Sequence, residues 1–275
     1  MANYTKYNLR FLGAFLFCAV MALNIAAQHG ESPEYSAYPA PAFTVDAQLA
    51  LQALVSLSDA HLQKIADEFS LLAATDAVRQ GKWERIREPL AMVARRNLPA
   101  VYWFALPDGS YWTLDSGRVS GNLASRSYFP RLLEGQTVLG DLVVSRSTGY
   151  NTAIVAVPVR KKDNKLAGAL GCSIQLDSLS ALVNRELGGL SKELIFFSIN
   201  NQPLLALNYN PELIFLDPLK LEGEGLRESF QTMLSTREGV VTYTFRGARR
   251  TVLYRKSPLT GWWYAFGKIE QQGAF

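Results

Sequence analysis

Beyond residue 43 the apolar positions recur with a helical period: Leu51, Val55, Leu62, Ile65, Phe69 and Leu72 are separated by 4, 7, 3, 4 and 3 residues. These spacings place all six on one stripe of an α-helix, so a long helix is expected there, with Thr44 as a candidate cap. Gly81 reads as its stop and Trp83–Ala94 as a second helix, which makes residues 43–96 the helical part of the chain. The stripe serves either to cover the domain that follows or to seat a second copy of the chain. It runs three heptads at most, and a homodimer through the long helix stays open at this point.

At Pro99 the period drops to two. AVYWFA, the turn Pro107-Asp108-Gly109 and SYWTL predict a hairpin of aromatic-rich strands. The segment from Asp115 to Ser125 is rich in Gly, Ser and Asn and reads as a loop. A short helix follows within LASRSYFPRLLEGQ (Leu123–Gln136), then strands TVLGDLVVS, NTAIVAVPVR and KLAGALGCSIQL, then a connecting helix from Leu176 to Leu187 that ends near Gly188-Gly189. The order then recurs on a smaller scale in ELIFFSIN, PLLALN, a helix over Leu226–Leu234, and GVVTYTF, RTVLYRK and WWYAFGKI. Strand–strand–helix–strand–strand–strand, written twice, is a repeat of architecture rather than of sequence. The expected fold class is α+β: a long N-terminal helix followed by two modules with antiparallel sheets, over residues 97–190 and 191–271. Trp262, Trp263 and Tyr264 are expected to pack the core of the second module.

The first residues change the picture of where such a chain works. MANYTKYNLR carries Lys6 and Arg10 and no acid, and the 17-residue apolar run Phe11–Ala27 ends in Ile25-Ala26-Ala27. That order reads as a secretory signal over residues 1–27, exporting the protein to the periplasm, with an uncleaved membrane anchor as the alternative. Residues 28–42 hold Pro33, Pro39 and Pro41 and read as a linker. The formal charge of +4 falls to +2 once Lys6 and Arg10 are removed, which leaves no electrostatic case for nucleic acid. Only Cys172 then remains of the two cysteines, so no internal disulfide is expected. No second apolar stretch of spanning length follows.

Enzyme chemistry finds little support. His29 lies in the linker and His61 on the long helix, so a Ser–His–Asp or Cys–His centre would have to recruit His61 from another module. The chain is too poor in His and Cys for a zinc site and has no Gly-rich phosphate loop, so no metal or cofactor is implied.

DGSYWT (108–113), SRSYF (125–129), GDLVVSRSTG (140–149), IVAVPV (154–159) and GALGCSIQLDSLS (168–180) resemble, in order, the membrane-distal module of double Cache sensor domains, which are PAS-like and extracytoplasmic. LIFLDP, GVVTYTFRG and LTGWWYAFG are similar to the smaller membrane-proximal module, and with the long helix the resemblance runs from Phe43 to about Gln271. It implies two PAS-like modules and ligand sensing in the first. In the amino-acid-binding branch of that family, an arginine and a following tryptophan hold the ligand carboxylate, and an aspartate on the last strand holds its ammonium. Here the run is Arg126-Ser127-Tyr128-Phe129, so the arginine matches and Tyr128 stands at the tryptophan position; Ser173 stands where the aspartate would. With no anion for an ammonium, a carboxylate or another small polar metabolite is favoured over an α-amino acid.

The residues themselves leave alternatives. Arg126 offers a planar fork to a carboxylate, or pairs with Asp115 or Asp141, or faces solvent. Tyr128 and Phe129 point to different sides of a helix, so one is core and the other faces the pocket. Ser145 and Ser147 in Ser145-Arg146-Ser147-Thr148-Gly149 could present hydroxyls to an anion, or simply build a turn. Ser173 is a pocket donor or core filler. The reading is an exported sensor whose bound state passes to a membrane receptor or kinase partner, because no output domain is seen. The rival reading is an exported scaffold that works through its long helix.

Overall fold

The structure, a computed structural model, describes residues 46–270. The signal segment 1–27, the linker 28–42 and Thr44 lie outside the described residues. Helix α1 (Ala47–Ala73) starts at Asp46, whose Oδ1 accepts from the Gln48 and Leu49 amides at 2.8 and 3.2 Å. Within the described residues the cap is therefore Asp46, where the expectation had been Thr44: the carboxylate meets orphan N–H groups at the positive end of the helix. Leu51, Val55, Leu62, Ile65 and Phe69 are buried, while Leu72 is half-buried at the edge of the stripe. The stripe lies against the two sheets described below, so these side chains belong to the protein's own core. A four-residue helix α2 (Asp76–Arg79) and Gly81, at φ +66°, turn the chain into α3 (Trp83–Arg95).

The first sheet is built from β1 (Ala100–Ala105), β2 (Ser110–Thr113), β3 (Gly117–Asn122), β4 (Val138–Val144), β5 (Asn151–Arg160) and β6 (Leu166–Gln175), with the short helix α4 (Phe129–Leu133) between β3 and β4. Its order is β3-β2-β1-β6-β5-β4, every pair antiparallel. Strand β3 corrects the sequence reading, which had a loop over Asp115–Ser125. GRVSGN has one apolar residue and no alternation, and it becomes a strand only by pairing along the edge of β2 across a bulge.

Helix α5 (Leu176–Glu186) leads to the second sheet: β7 (Leu194–Ile199), β8 (Leu205–Asn208), β9 (Glu238–Phe245), β10 (Ala248–Lys256) and β11 (Trp263–Glu270), with α6 (Leu226–Ser235) before β9. Its order is β8-β7-β11-β10-β9. The two sheets share one plan: a hairpin opens each, and the last strand inserts beside the first. The fold is α+β, with an N-terminal helix and two antiparallel sheets.

Three cores follow from this plan. One lies between α1 and the faces of both sheets. A second lies on the far face of the second sheet under α6, and a third on the far face of the first sheet under α4. Tyr264 departs from expectation by packing not in the second sheet's own core but in the shared one, and so does Trp262. The Trp262 Nε1 donates to the Gly140 carbonyl of β4 at 2.9 Å. Gly140 sits at the β4 bulge with φ +81°, a conformation that favours glycine, and a Cβ there would lie 3.1 Å from the indole, a tight contact. Trp263, the next residue, points the other way into the second sheet's core, as strand alternation demands. Among the described residues no helix is long and apolar enough to cross a membrane.

Candidate functional site

On the α4 side of the first sheet, cross-strand register sets a row of side chains edge to edge. Val101 of β1 pairs with Ser173 of β6, which pairs in turn with Ile154 of β5, and all three line one cavity. Trp103, two residues along β1, faces Gly171 across the ladder. A Cβ at Gly171 would run into the Trp103 ring, so this glycine makes room for the indole that forms one wall. Tyr111 of β2, Leu123 and Tyr128 form further walls, and Val143, Ser145, Arg146 and Ser147 close the far side. The space among them, counted out to the mouth, is about 330 Å³, and about 20 Å³ of it is wide enough for the centre of a water molecule.

Arg126 enters from the turn ahead of α4, where its N–H donates to Leu123 O at 2.9 Å and its carbonyl accepts from Phe129 N at 3.0 Å. The helix starts only at Phe129, so Arg126 stands before the helix rather than on it. Its Nη2 donates to Val144 O at 2.8 Å, while its Nε is buried without a hydrogen-bond partner. Neither expected acid takes it up. Asp141 is paired with Arg131, and among the described residues Arg126 is in no ion pair. Desolvation lowers its pKa, and Arg146 close by lowers it further. Arg146 reaches back across the mouth, with Nη1 on Asn122 O at 2.7 Å and Nη2 on Ser125 Oγ at 2.8 Å. Two guanidiniums thus share one cavity whose lining contains no carboxylate.

The remaining expected residues separate. Tyr128 is buried and lines the cavity; burial pushes its phenol up against the pull of Arg126, so it stays a neutral hydroxyl. Tyr111 is shifted in the same sense for the same reason. Ser145 is buried with its Oγ 3.2 Å from Ser147 Oγ, and both line the cavity with Ser173. Phe129, also expected at the pocket, does not line this cavity. It is buried in the hydrophobic cluster under α4, because successive residues at a helix start point to different sides. Sequence reasoning missed Arg146 as a site residue, although it stands between Ser145 and Ser147 in the run that was singled out. It also missed Tyr111, whose place is set only by the β1–β2 register. His61 Nε2 lies 2.8 Å from Glu186 Oε2, which ties α1 to α5. Cys172 is buried in the shared core as a free thiol pushed well up by burial.

A scan against protein-family models finds no match, and a search of curated proteins finds none. Solved structures do match. An extracellular ligand-binding receptor from Desulfohalobium retbaense superposes with a TM-score of 0.65 at 15% identity, over 80% of this chain and 40% of that one. This chain therefore spans less than half of that receptor. The ligand-binding domain of the Pseudomonas aeruginosa amino acid chemoreceptor PctB, in complex with L-Arg, matches at 0.65 and 13% identity over 83% of this chain and 96% of its own. That of the Campylobacter jejuni chemoreceptor Tlp3, in complex with L-norvaline, matches at 0.60 and 12% identity, covering 81% and 89%. The chain has the fold of double Cache sensor domains.

Proposed function

We propose that the protein is an exported sensor domain whose first module, residues 97–190, binds a small carboxylate, with residues 191–271 as the smaller second module. The observation that carries this reading is Arg126: a half-buried guanidinium with an orphan Nε, no acidic partner and a second guanidinium beside it, in a cavity without a carboxylate. A carboxylate would take the free N–H, offset the repulsion between Arg126 and Arg146, and meet neutral hydroxyls from Tyr111, Tyr128, Ser145, Ser147 and Ser173. The aromatic walls exclude water and strengthen these bonds. No carboxylate lines the cavity to pair with an ammonium, so the ligand class is a mono- or dicarboxylate rather than the amino acids named with the PctB and Tlp3 domains. Binding alone, with no chemical step, is the function. The solved neighbours are sensing parts of receptors, which supports a bound state read by a membrane receptor or kinase.

The test is a thermal-shift and calorimetric panel that pairs each amino acid with the matching acid lacking its amine, such as L-alanine with lactate and pyruvate. A carboxylate is expected to bind, and Arg126→Gln to weaken it by about tenfold or more, the scale of one charge-assisted hydrogen bond. An amino acid that binds more tightly than its amine-free counterpart would overturn the ligand class. Binding that survives Arg126→Gln unchanged would overturn the site.

A further inference from the structure

The second sheet carries an arginine in an unlikely place. In β10 the alternate residues Arg250, Val252 and Tyr254 are all buried, so a cation occupies a buried position of a strand whose other buried positions are apolar. Arg250 is only 7% exposed, its Nε is buried without a hydrogen-bond partner, and it is in no ion pair among the described residues. Its neighbours are treated differently. Arg246 lies 3.8 Å from Glu212, Arg249 lies 3.5 Å from Glu270, and Arg255 lies 3.2 Å from Glu238. What supports Arg250 is aromatic: its Cζ stands 4.9 Å from the centre of the Phe245 ring and 5.9 Å from that of Tyr209, and Nη1 donates to Tyr209 Oη at 2.9 Å.

This guanidinium lines a cavity under α6 walled by Phe197, Leu213, Leu226, Phe230 and Tyr243. The space is about 330 Å³ to its mouth, with about 20 Å³ wide enough for a water centre. Ring faces soften the cost of burying the charge but accept no hydrogen bond in the guanidinium plane, and the orphan Nε–H lies in that plane. A planar anion supplies what is missing. An apolar wall facing the cation calls for an apolar tail, and so narrow a slot admits a short chain rather than a ring. From this geometry we infer that the second module holds a short-chain aliphatic monocarboxylate, of two to four carbons, with its carboxylate on Arg250 Nε and Nη and its tail on Phe197, Leu213 and Phe230. This site is separate from the one around Arg126 and stands or falls without it.

The test uses the full chain with sodium acetate, propionate and butyrate against sodium chloride at matched ionic strength, read by the ¹⁵N–¹H signals of arginine Nε and by calorimetry. An Arg Nε resonance absent from the Arg250→Gln spectrum should shift on titration with propionate. The propionate Kd should rise about tenfold or more in Arg250→Gln and change less than about twofold in Arg126→Gln. Leu213→Phe, which narrows the slot and keeps the cation, should weaken butyrate more than acetate, and it replaces Arg250→Gln as the decisive variant should that protein not fold. The site is refuted if no Nε signal moves, if folded Arg250→Gln binds propionate as the wild type does, if Leu213→Phe leaves all three acids unaffected, or if Arg126→Gln alone abolishes the response.

Discussion

The two sheets solve the same architectural problem with opposite electrostatic means. Each inserts its last strand beside its first and leaves a small cavity on the face away from α1. In the first sheet the cations come from connections: Arg126 from the turn before α4, Arg146 from the turn between β4 and β5. They are tethered to backbone carbonyls and surrounded by hydroxyls. In the second sheet the cation comes from the strand itself, and aromatic rings take the place of hydroxyls. Loops can move with little loss of packing, whereas β10 is hydrogen-bonded on both sides along its length. A ligand of the proposed first site would thus meet surroundings able to reorganise, and one of the proposed second site would have to fit what is already there.

That contrast presumes two sheets joined firmly enough to behave as one body, and Trp262 is the joint. Trp262→Ala removes a fully buried indole from the shared core and leaves the Gly140 carbonyl without its donor. The expected loss is about 3–5 kcal/mol in chemical denaturation, the largest effect predicted here. A loss below about 1 kcal/mol, or two resolved unfolding transitions in the wild type, would mean that the sheets are stable apart.

Two glycines sharpen the contrast at the next scale. Gly171 of β6 and Gly267 of β11 occupy the inserted strand of their respective sheets. A Cβ at Gly171 meets the Trp103 ring, a side chain at the first cavity; a Cβ at Gly267 meets the Thr251 carbonyl and the Val252 Cα, which are backbone. Both alanine variants should lose about 1–3 kcal/mol, with Gly267→Ala the costlier because a strand yields less than an indole. Gly171→Ala should also weaken carboxylate binding by pushing Trp103 into the cavity, and Gly267→Ala should leave binding at the first site intact. The reverse order, in stability or in binding, would break the assignment of walls.

How far the sequence announces all this depends on the signal each feature carries. Periodicity is enough for α1 and for β5 and β6, whose apolar runs have no reading other than burial. It fails for β3, because an edge strand with one apolar residue is made by its partner and not by its own pattern. Arg126 is legible through its motif, but its lack of an acid is not, since Asp141 is near in sequence and goes instead to Arg131. Which side chains of Ser145-Arg146-Ser147 turn inward is decided by the tertiary turn. Arg250 had a signal in plain view, a cation in register with Val252 and Tyr254, that a reading for elements passes over.

The smallest predicted effect tests how α1 is held to the second sheet. Asp59 of α1 accepts from Ser257 Oγ at 2.5 Å and from Tyr264 Oη at 3.1 Å. Burial raises its pKa above the ordinary carboxylate value, and the two hydrogen bonds only partly oppose that shift. A raised carboxyl pKa means that the folded state holds its proton longer than the unfolded chain does. Stability from this group is therefore greatest below about pH 3.9 and declines as pH rises through the higher folded value. Asp59→Asn cannot ionise, so relative to the wild type it should gain stability across that rise, whatever constant offset its altered hydrogen bonds to Ser257 and Tyr264 impose. Urea denaturation of both proteins from acid to neutral pH measures the difference. If it stays flat, or if the wild type gains with pH, then the hydrogen bonds outweigh desolvation, and Asp59 is a stabilising anion bridge between α1 and β11.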